Sequence, residues 1–456
     1  MNQKYFFKTS SILIIFISFF LLTGCAAKRY RKQAMELEKA GLVEDAAELY
    51  RKSLTKQPDN IEAKLGLRKN GQIVLDRKTD VFLKAYNTGT NREAVYTFKE
   101  VEDYYDAVKS VGITLDFPTE NNAYYEEKKE LYLNELYVEG KNLFDKDNFK
   151  HAELKFSEIV KIDANFRDSK IQVNKAKAEP IYRGGIEALN NELPRKAYYR
   201  FTSVEGYISD YKDVAQLKSE ALEKATINIV VIPFKSEGRN SYKNISKLEA
   251  IVKNDLKSIN SPFYKIIDGS SIAYNDHKKL EKARKLGGHA IFSGIISKNT
   301  YRTGQLYRNS KKGYLKKKYK HKKKDGTTET ITKYEKIEYY EYSMTNQASL
   351  EVRYQLIATK NNEIWVSDEI SISAQDAIRY AKSDHNYKNI VKGYWKHSKK
   401  KSESDKVYDN YDSNREIKNL FTSSREITAA TSLLKNLMEN AGEEIKQKIE
   451  SFNPEK

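Results

Sequence analysis

Ala152-Glu-Leu-Lys-Phe156 and Ala197-Tyr-Tyr-Arg-Phe201 each set an alanine four positions before an aromatic residue, and the two lie 45 residues apart. Twelve residues before each alanine stands a glycine, Gly140 and Gly185. The segments that follow keep the same offset, Asn165-Phe166-Arg167-Asp168 against Asp210-Tyr211-Lys212-Asp213. Independent features sharing one spacing mark an internal repeat. Repeats of this length build stacked units, each covering its neighbour's open face. Ala46-Ala-Glu-Leu-Tyr50, with Pro58 after it, is an earlier copy, and Ala94-Val-Tyr-Thr-Phe98 a looser one. From Lys28 to Ala225 apolar residues recur at spacings of three and four, which predicts helical hairpins throughout. The small residue lets the partner helix approach, and the aromatic is expected to fill the groove of the next hairpin.

At Thr226 the texture changes. Ile227 to Ile232 is an unbroken apolar run stopped by Pro233, which predicts a buried strand. A helix follows, with Ile245, Leu248, Ile251, Val252, Leu256 and Ile259 on one side. A strand is predicted over 264–268, a helix over 280–286 and a strand over 290–296. Strands about thirty residues apart with helices between form right-handed βαβ units. Leu350, Val352, Tyr354 and Leu356 alternate with polar residues. Asn361-Asn362 supplies a turn, and 364–372 returns as the hairpin partner. Thr422, Ser423 and Glu426 read as a capping box opening a last helix, whose stripe is Leu433, Leu437, Ala441, Ile445 and Ile449. The expected fold class is a helical superhelix followed by an α+β domain with a mixed sheet.

The only cysteine, Cys25, ends Leu22-Thr23-Gly24-Cys25 behind an apolar run that begins near Ser11, with Lys4 and Lys8 in front. That is the layout of a secretory signal, and the run is too short for a spanning helix. It resembles the signal of bacterial lipoproteins. The resemblance implies cleavage before Cys25, a diacylglyceryl thioether on its sulfur and an acyl chain such as palmitate on its new amine. Each buried CH2 of such chains adds about 0.8 kcal/mol of membrane affinity. Residues 1–24 are then a signal peptide, 25–225 the helical repeat domain and 226–456 the α/β domain. Ala26 follows Cys25 where the family's inner-membrane retention signal has Asp, which implies lipid anchoring at the periplasmic face of the cell outer membrane. With no second cysteine there is no intrachain disulfide.

Two further resemblances bear on fold and role. The small–x3–aromatic pairs and Pro58 resemble tetratricopeptide repeats. The successive offsets of 48, 58 and 45 residues depart from that family's repeat of about 34. The family implies a groove that binds a protein segment; a rigid spacer is the plainer alternative. Ile229-Val-Val-Ile-Pro-Phe234, the 264–268 strand, Leu286-Gly-Gly-His-Ala-Ile-Phe-Ser-Gly294 and the closing hairpin look like the curli secretion channel family. The same fold occurs in the amino-terminal domain of TolB and in lipoprotein activators of penicillin-binding proteins. This implies a periplasmic interaction domain over roughly 227–375, without catalysis.

Basic insertions are expected at about 297–344 and 376–415. The first contains Lys311, Lys312, Lys316, Lys317, Lys318, Lys320, Lys322, Lys323 and Lys324, nine lysines without an acid in fourteen residues. Such a run cannot lie in lipid, where a Lys costs about 2–4 kcal/mol at the midplane, so a membrane barrel is disfavoured. It reads either as a contact for anionic lipid or peptidoglycan, at roughly 1 kcal/mol per Lys near a charged membrane surface, or as a solvated loop tip. The second polar stretch, 382–415, reads as a mobile loop. A net charge of +18 favours anionic partners, and export makes nucleic acid a poor candidate. The histidines at 151, 277, 289, 321, 385 and 397 share no metal spacing, and no nucleophile elbow or phosphate loop is present. Gly287-Gly288 precedes a strand and reads as a turn. The expectation is a protein without cofactor, metal or catalytic residues that scaffolds an envelope assembly for secretion, motility or cell-wall synthesis, possible as an oligomer. The alternatives are a curli-type secretion channel and an activator of peptidoglycan synthesis.

Overall fold

The computed structural model describes residues 26–237, 244–324 and 326–455. Cys25 and the signal segment lie outside them. Two compact units emerge. One runs to Gly185 and adds Arg200–Ala215; the other joins Ile186–Tyr199 to the chain from Gln216 onward.

The first unit is built from helices. They are α1 (26–39), α2 (Val43–Lys56), α3 (Ile61–Thr88), α4 (Asn91–Lys109), α5 (Asn121–Asp145), α6 (Phe149–Ile162) and most of α7 (Ser169–Asn190). Helices α8 (Pro194–Glu205) and α9 (Val214–Ala225) follow in the chain, each divided between the two units. Their starts follow local chemistry. Thr90 accepts from the Glu93 amide while Glu93 reaches back to the Thr90 amide, a full capping box at α4. Asn60 caps α3 the same way, accepting from the Ala63 amide at 2.9 Å.

The repeat is legible in the packing. A Cβ on Gly140 would sit 2.8 Å from the Phe156 ring, and one on Gly185 would sit 2.5 Å from the Phe201 ring. Gly66 meets Tyr50 in the same manner. The aromatic therefore lies on the glycine of its own hairpin partner, not in the groove of the next hairpin. Only a residue without Cβ lets the ring lie flat on the helix backbone. Ala46, Ala94, Ala152 and Ala197 are fully buried, as are Phe156 and Phe201, with Tyr50 and Phe98 nearly so. Phe98 stacks on Tyr125 at 4.3 Å and meets Phe82 edge-on at 4.9 Å.

The polar contacts repeat as well. The Tyr137 hydroxyl donates to Asp168 at 2.7 Å, and Tyr182 donates to Asp213 at 2.6 Å. Arg167 lies over the Tyr137 ring, and Lys212 over the Tyr182 ring. Both cations sit on residues with positive φ, 47° and 50°. Asp147 and Glu192 form another such pair at 60° and 57°. Every one of these matches lies 45 residues apart.

The second unit is α+β with a mixed sheet. β1 (Ile227–Val231) pairs in parallel with β3 (Tyr264–Asp268) and β4 (Ala290–Arg302), and short β2 (Lys235–Ser236) also lies parallel to β4. β5 (Tyr307–Lys322), β6 (Thr328–Ala358) and β7 (Ile364–Lys382) are antiparallel, and β8 (Ile390–Tyr394) and β9 (Lys406–Tyr408) extend the β5 side. Helices α10 (Ile245–Lys257) and α13 (Ala430–Ser451) cover one sheet face. Leu248, Val252, Leu256, Leu437, Ala441, Ile445 and Ile449 pack there on Ile229, Phe292, Val352 and Leu356. The short helix α11 (Lys279–Lys285) covers Val230, Ile232 and Ile291 on the other face.

Three expectations are corrected. The segments 297–344 and 376–415 are not loops. The first is the ends of β4 and β6 with all of β5. The second holds the end of β7, β8, β9 and α12 (Tyr411–Thr422). The reason is cross-strand compensation: Lys318, Lys320 and Lys322 face threonines of β6 in register, Lys312 faces Glu338, and Lys311 and Lys316 face Tyr339 and Tyr334, which offsets the weak strand preference of lysine. The capping box at Ser423 is not used, and α13 starts only at Ala430. Ser423 ends α12 and donates to the Asn419 carbonyl. The stretch after it is held extended by Asp376, which accepts from the Thr428 amide, and by Asn346, which donates to the Thr428 carbonyl.

Candidate functional site

β6 is 31 residues long, about 100 Å at strand rise. β4 pairs with its C-terminal part and β5 with its N-terminal part, while β7 reaches only to Tyr340. On the far side of β5, β8 touches only Gly313 to Leu315. Beyond these supports, 316–322 and 328–334 form a two-stranded ribbon with no third strand among the described residues. The nine lysines singled out from sequence all lie on β5 or on its turn to β6.

Register sorts them. Residues opposite one another in an antiparallel pair share a face, and neighbours along a strand alternate. Lys318, Lys320 and Lys322 stand opposite Thr332, Thr330 and Thr328, so one face of the ribbon end is three lysines and three threonines without an acid. The lysines are about 7 Å apart along the strand. The other face is mixed: Lys317 pairs with Glu335 at 2.6 Å, and Lys333 lies over Tyr319. Lys323 pairs with Glu329 at 2.9 Å. Lys311, Lys318, Lys320, Lys322 and Lys324 have no ion-pair partner among the described residues.

The nearer half of the lysine face is covered. Lys312 donates to the Trp395 carbonyl at 2.9 Å and lies over its ring. Lys316 and the Tyr334 hydroxyl both donate to Asp409. Lys336 pairs with Asp405 at 2.7 Å and donates to the carbonyls of His397 and Lys400 at 2.7 and 2.6 Å. These bonds pin the segment 395–409 against the ribbon. It brings a second basic run, Lys396, Lys399, Lys400 and Lys401, all exposed. The two polar insertions, about eighty residues apart in the chain, thus form one surface.

Local acids are largely engaged. Burial works to raise the Asp409 carboxyl, but hydrogen bonds from Asn414, Lys316 and Tyr334 outweigh it and bring it to about 2. Lys336 holds the Asp405 carboxyl below its usual range. The same contacts push the ammonium groups of Lys316 and Lys317 up, first through their hydrogen bonds to Asp409 and Glu335. Of the acids within 395–409, Glu403 alone has no cation on it. Lys336, Trp395, Asp405 and Asp409 were missed from sequence. The Lys399-Lys400-Lys401 run was visible there, but nothing local says it meets β5.

Among the described residues no cluster of His, Cys, Asp or Glu is set to hold a metal, and no helix is long and apolar enough to cross a membrane. His289 accepts from the Asn228 amide and sits against the Thr226 carbonyl, an ordinary strand-edge contact. No protein-family model matches the chain, and no curated protein matches it. Among solved structures it is similar to the PelC dodecamer from Paraburkholderia phytofirmans, at 11% identity over 49% of this chain and 89% of that one, with a TM-score of 0.20. It is also similar to a neuraminyllactose-binding hemagglutinin homolog from Helicobacter pylori, at 13% identity over 50% and 90%, with a TM-score of 0.22. Scores this low carry no argument about fold or role.

Proposed function

We propose that this chain is a non-enzymatic lipoprotein that scaffolds an envelope assembly through protein–protein contacts. In this reading Cys25 carries the acyl chains and holds the protein at the periplasmic face of the outer membrane. The helical unit is a tetratricopeptide-like arm, and the α+β unit is a curli-channel-like interaction domain.

The observation that supports the reading best is on α5. Tyr124, Leu131 and Val138 recur every seven residues and are 39%, 44% and 57% exposed. Two turns of helix separate each from the next, so they line one stripe. Single exposed apolar residues are ordinary; a stripe of them on a stack of hairpins suits the apolar face of a partner segment. Lys128 and Glu135 flank it, so charges of both signs lie beside the apolar stripe.

The test is site-specific photocrosslinking at Leu131 in cells, followed by mass spectrometry. The expected result is one recurrent envelope protein, lost when Val138→Asp is added. Adducts scattered over unrelated proteins, or adducts indifferent to Val138→Asp, would refute the scaffold reading.

A further inference from the structure

We infer that the ribbon end and the 396–401 segment together form a docking face for a bilayer rich in anionic phospholipid. The inference deepens the proposed function, because it gives the envelope scaffold a second membrane contact, and it rests on that reading only for the compartment. The charge is arranged for an outside partner. The face offers Lys318, Lys320 and Lys322 on the ribbon and Lys396, Lys399, Lys400 and Lys401 beside it, none with an acid among the described residues. Of the acids nearest them, Glu329, Glu335, Asp405 and Asp409 are already held by Lys323, Lys317, Lys336 and Lys316, and Glu403 alone is left without a cation among the described residues. A protein that needed these lysines for folding would pair them. Here the paired lysines secure the support and the unpaired ones lie beyond it.

Shape favours a membrane over a linear polyanion. The lysines stand in a row on a two-stranded ribbon, on a face with no aromatic beyond Tyr334, so there is no stacking platform of the kind single-stranded nucleic acid uses. A bilayer asks for less geometry, because its headgroups diffuse to the lysines. On this face Tyr334 and Val407 are 37% and 39% exposed. Tyrosine is enriched at headgroup level, where its ring is half-buried and its hydroxyl wet.

The test uses the full chain with Cys25→Ser, so that no acyl chain contributes. Sedimentation is measured with phosphatidylcholine vesicles, with and without about one third phosphatidylglycerol. Binding is expected only to the anionic vesicles, weakening with salt. The triple variant Lys318→Gln, Lys320→Gln, Lys322→Gln is expected to bind about a hundredfold more weakly, and the matching Lys→Arg triple to bind as the parent does. Gln replacement of Lys396, Lys399, Lys400 and Lys401 should weaken binding in the same way. Equal binding to neutral vesicles, or no loss in a triple variant whose circular dichroism is unchanged, overturns the inference. So does tighter binding to polyphosphate or an oligonucleotide than to vesicles. Vesicle binding with no recurrent adduct at Leu131 would sink the scaffold reading and leave this one standing; the reverse pair of results would do the opposite.

Discussion

Replacing Gly140 by alanine tests the repeat at its tightest point in the α5–α6 hairpin. The new methyl would lie 2.8 and 2.9 Å from two carbons of the Phe156 ring, against an optimum near 3.5–4.0 Å. The ring must therefore retreat by about 0.7–1 Å. It has little room, since Phe156 is fully buried and its edge meets Tyr137 at a centroid distance of 5.8 Å. Overpacking of this kind costs about 1–3 kcal/mol. Alanine in mid-helix returns about 1 kcal/mol that glycine forfeits, so the net expectation is about 0–2 kcal/mol of destabilisation. Urea unfolding, followed by far-ultraviolet circular dichroism, reads it as a lower midpoint for the helical transition. Phe156→Leu alone should cost about 1 kcal/mol, and the double variant should lose less than the two singles together, with a coupling of about 1 kcal/mol. A Gly140→Ala protein with a raised midpoint would show propensity acting alone. That result, or strict additivity with Phe156→Leu, would refute the close approach. Gly185→Ala, at 2.5 Å from Phe201, should be the more damaging of the pair.

Lys336→Met should release the 395–405 segment, which loses an ion pair and two carbonyl contacts, and hydrogen exchange there should quicken while α13 stays protected. The Asp409 carboxyl titrates at about 2 in the folded protein, below the roughly 3.9 of an unfolded aspartate. Its contribution is therefore complete above about pH 4 and lost as the pH falls toward 2, and protection of the 395–409 segment should fall in that window but not in Asp409→Asn. Cys25→Ala should abolish incorporation of a clickable fatty acid. A variant that still labels, or a parent that never does, would remove the anchor.

The helical unit was readable because its packing is local. A glycine, an alanine and an aromatic on adjacent helices of one hairpin suffice, and their spacing survives in the chain as the 45-residue offset. What spacing could not say is which helix the ring rests on. The neighbouring hairpin offers a groove too, and only the missing Cβ at Gly66, Gly140 and Gly185 decides for the near partner. Likewise the apolar runs 227–232 and 290–296 announced a buried sheet, since strands covered on both faces are apolar throughout.

The amino-acid order by itself determined where helices give way to strands, which residues enter the cores, and that a lysine run lies on the surface. All three depend on periodicity and transfer from water, which act residue by residue. Tertiary structure alone decided that the lysine run is a strand. Its stability comes from Thr328 to Glu341 across the ladder and from Asp405 and Asp409 far along the chain, and partners so distant leave no local trace. The same long-range pairing divides the lysines into those that hold the protein together and those left facing outward.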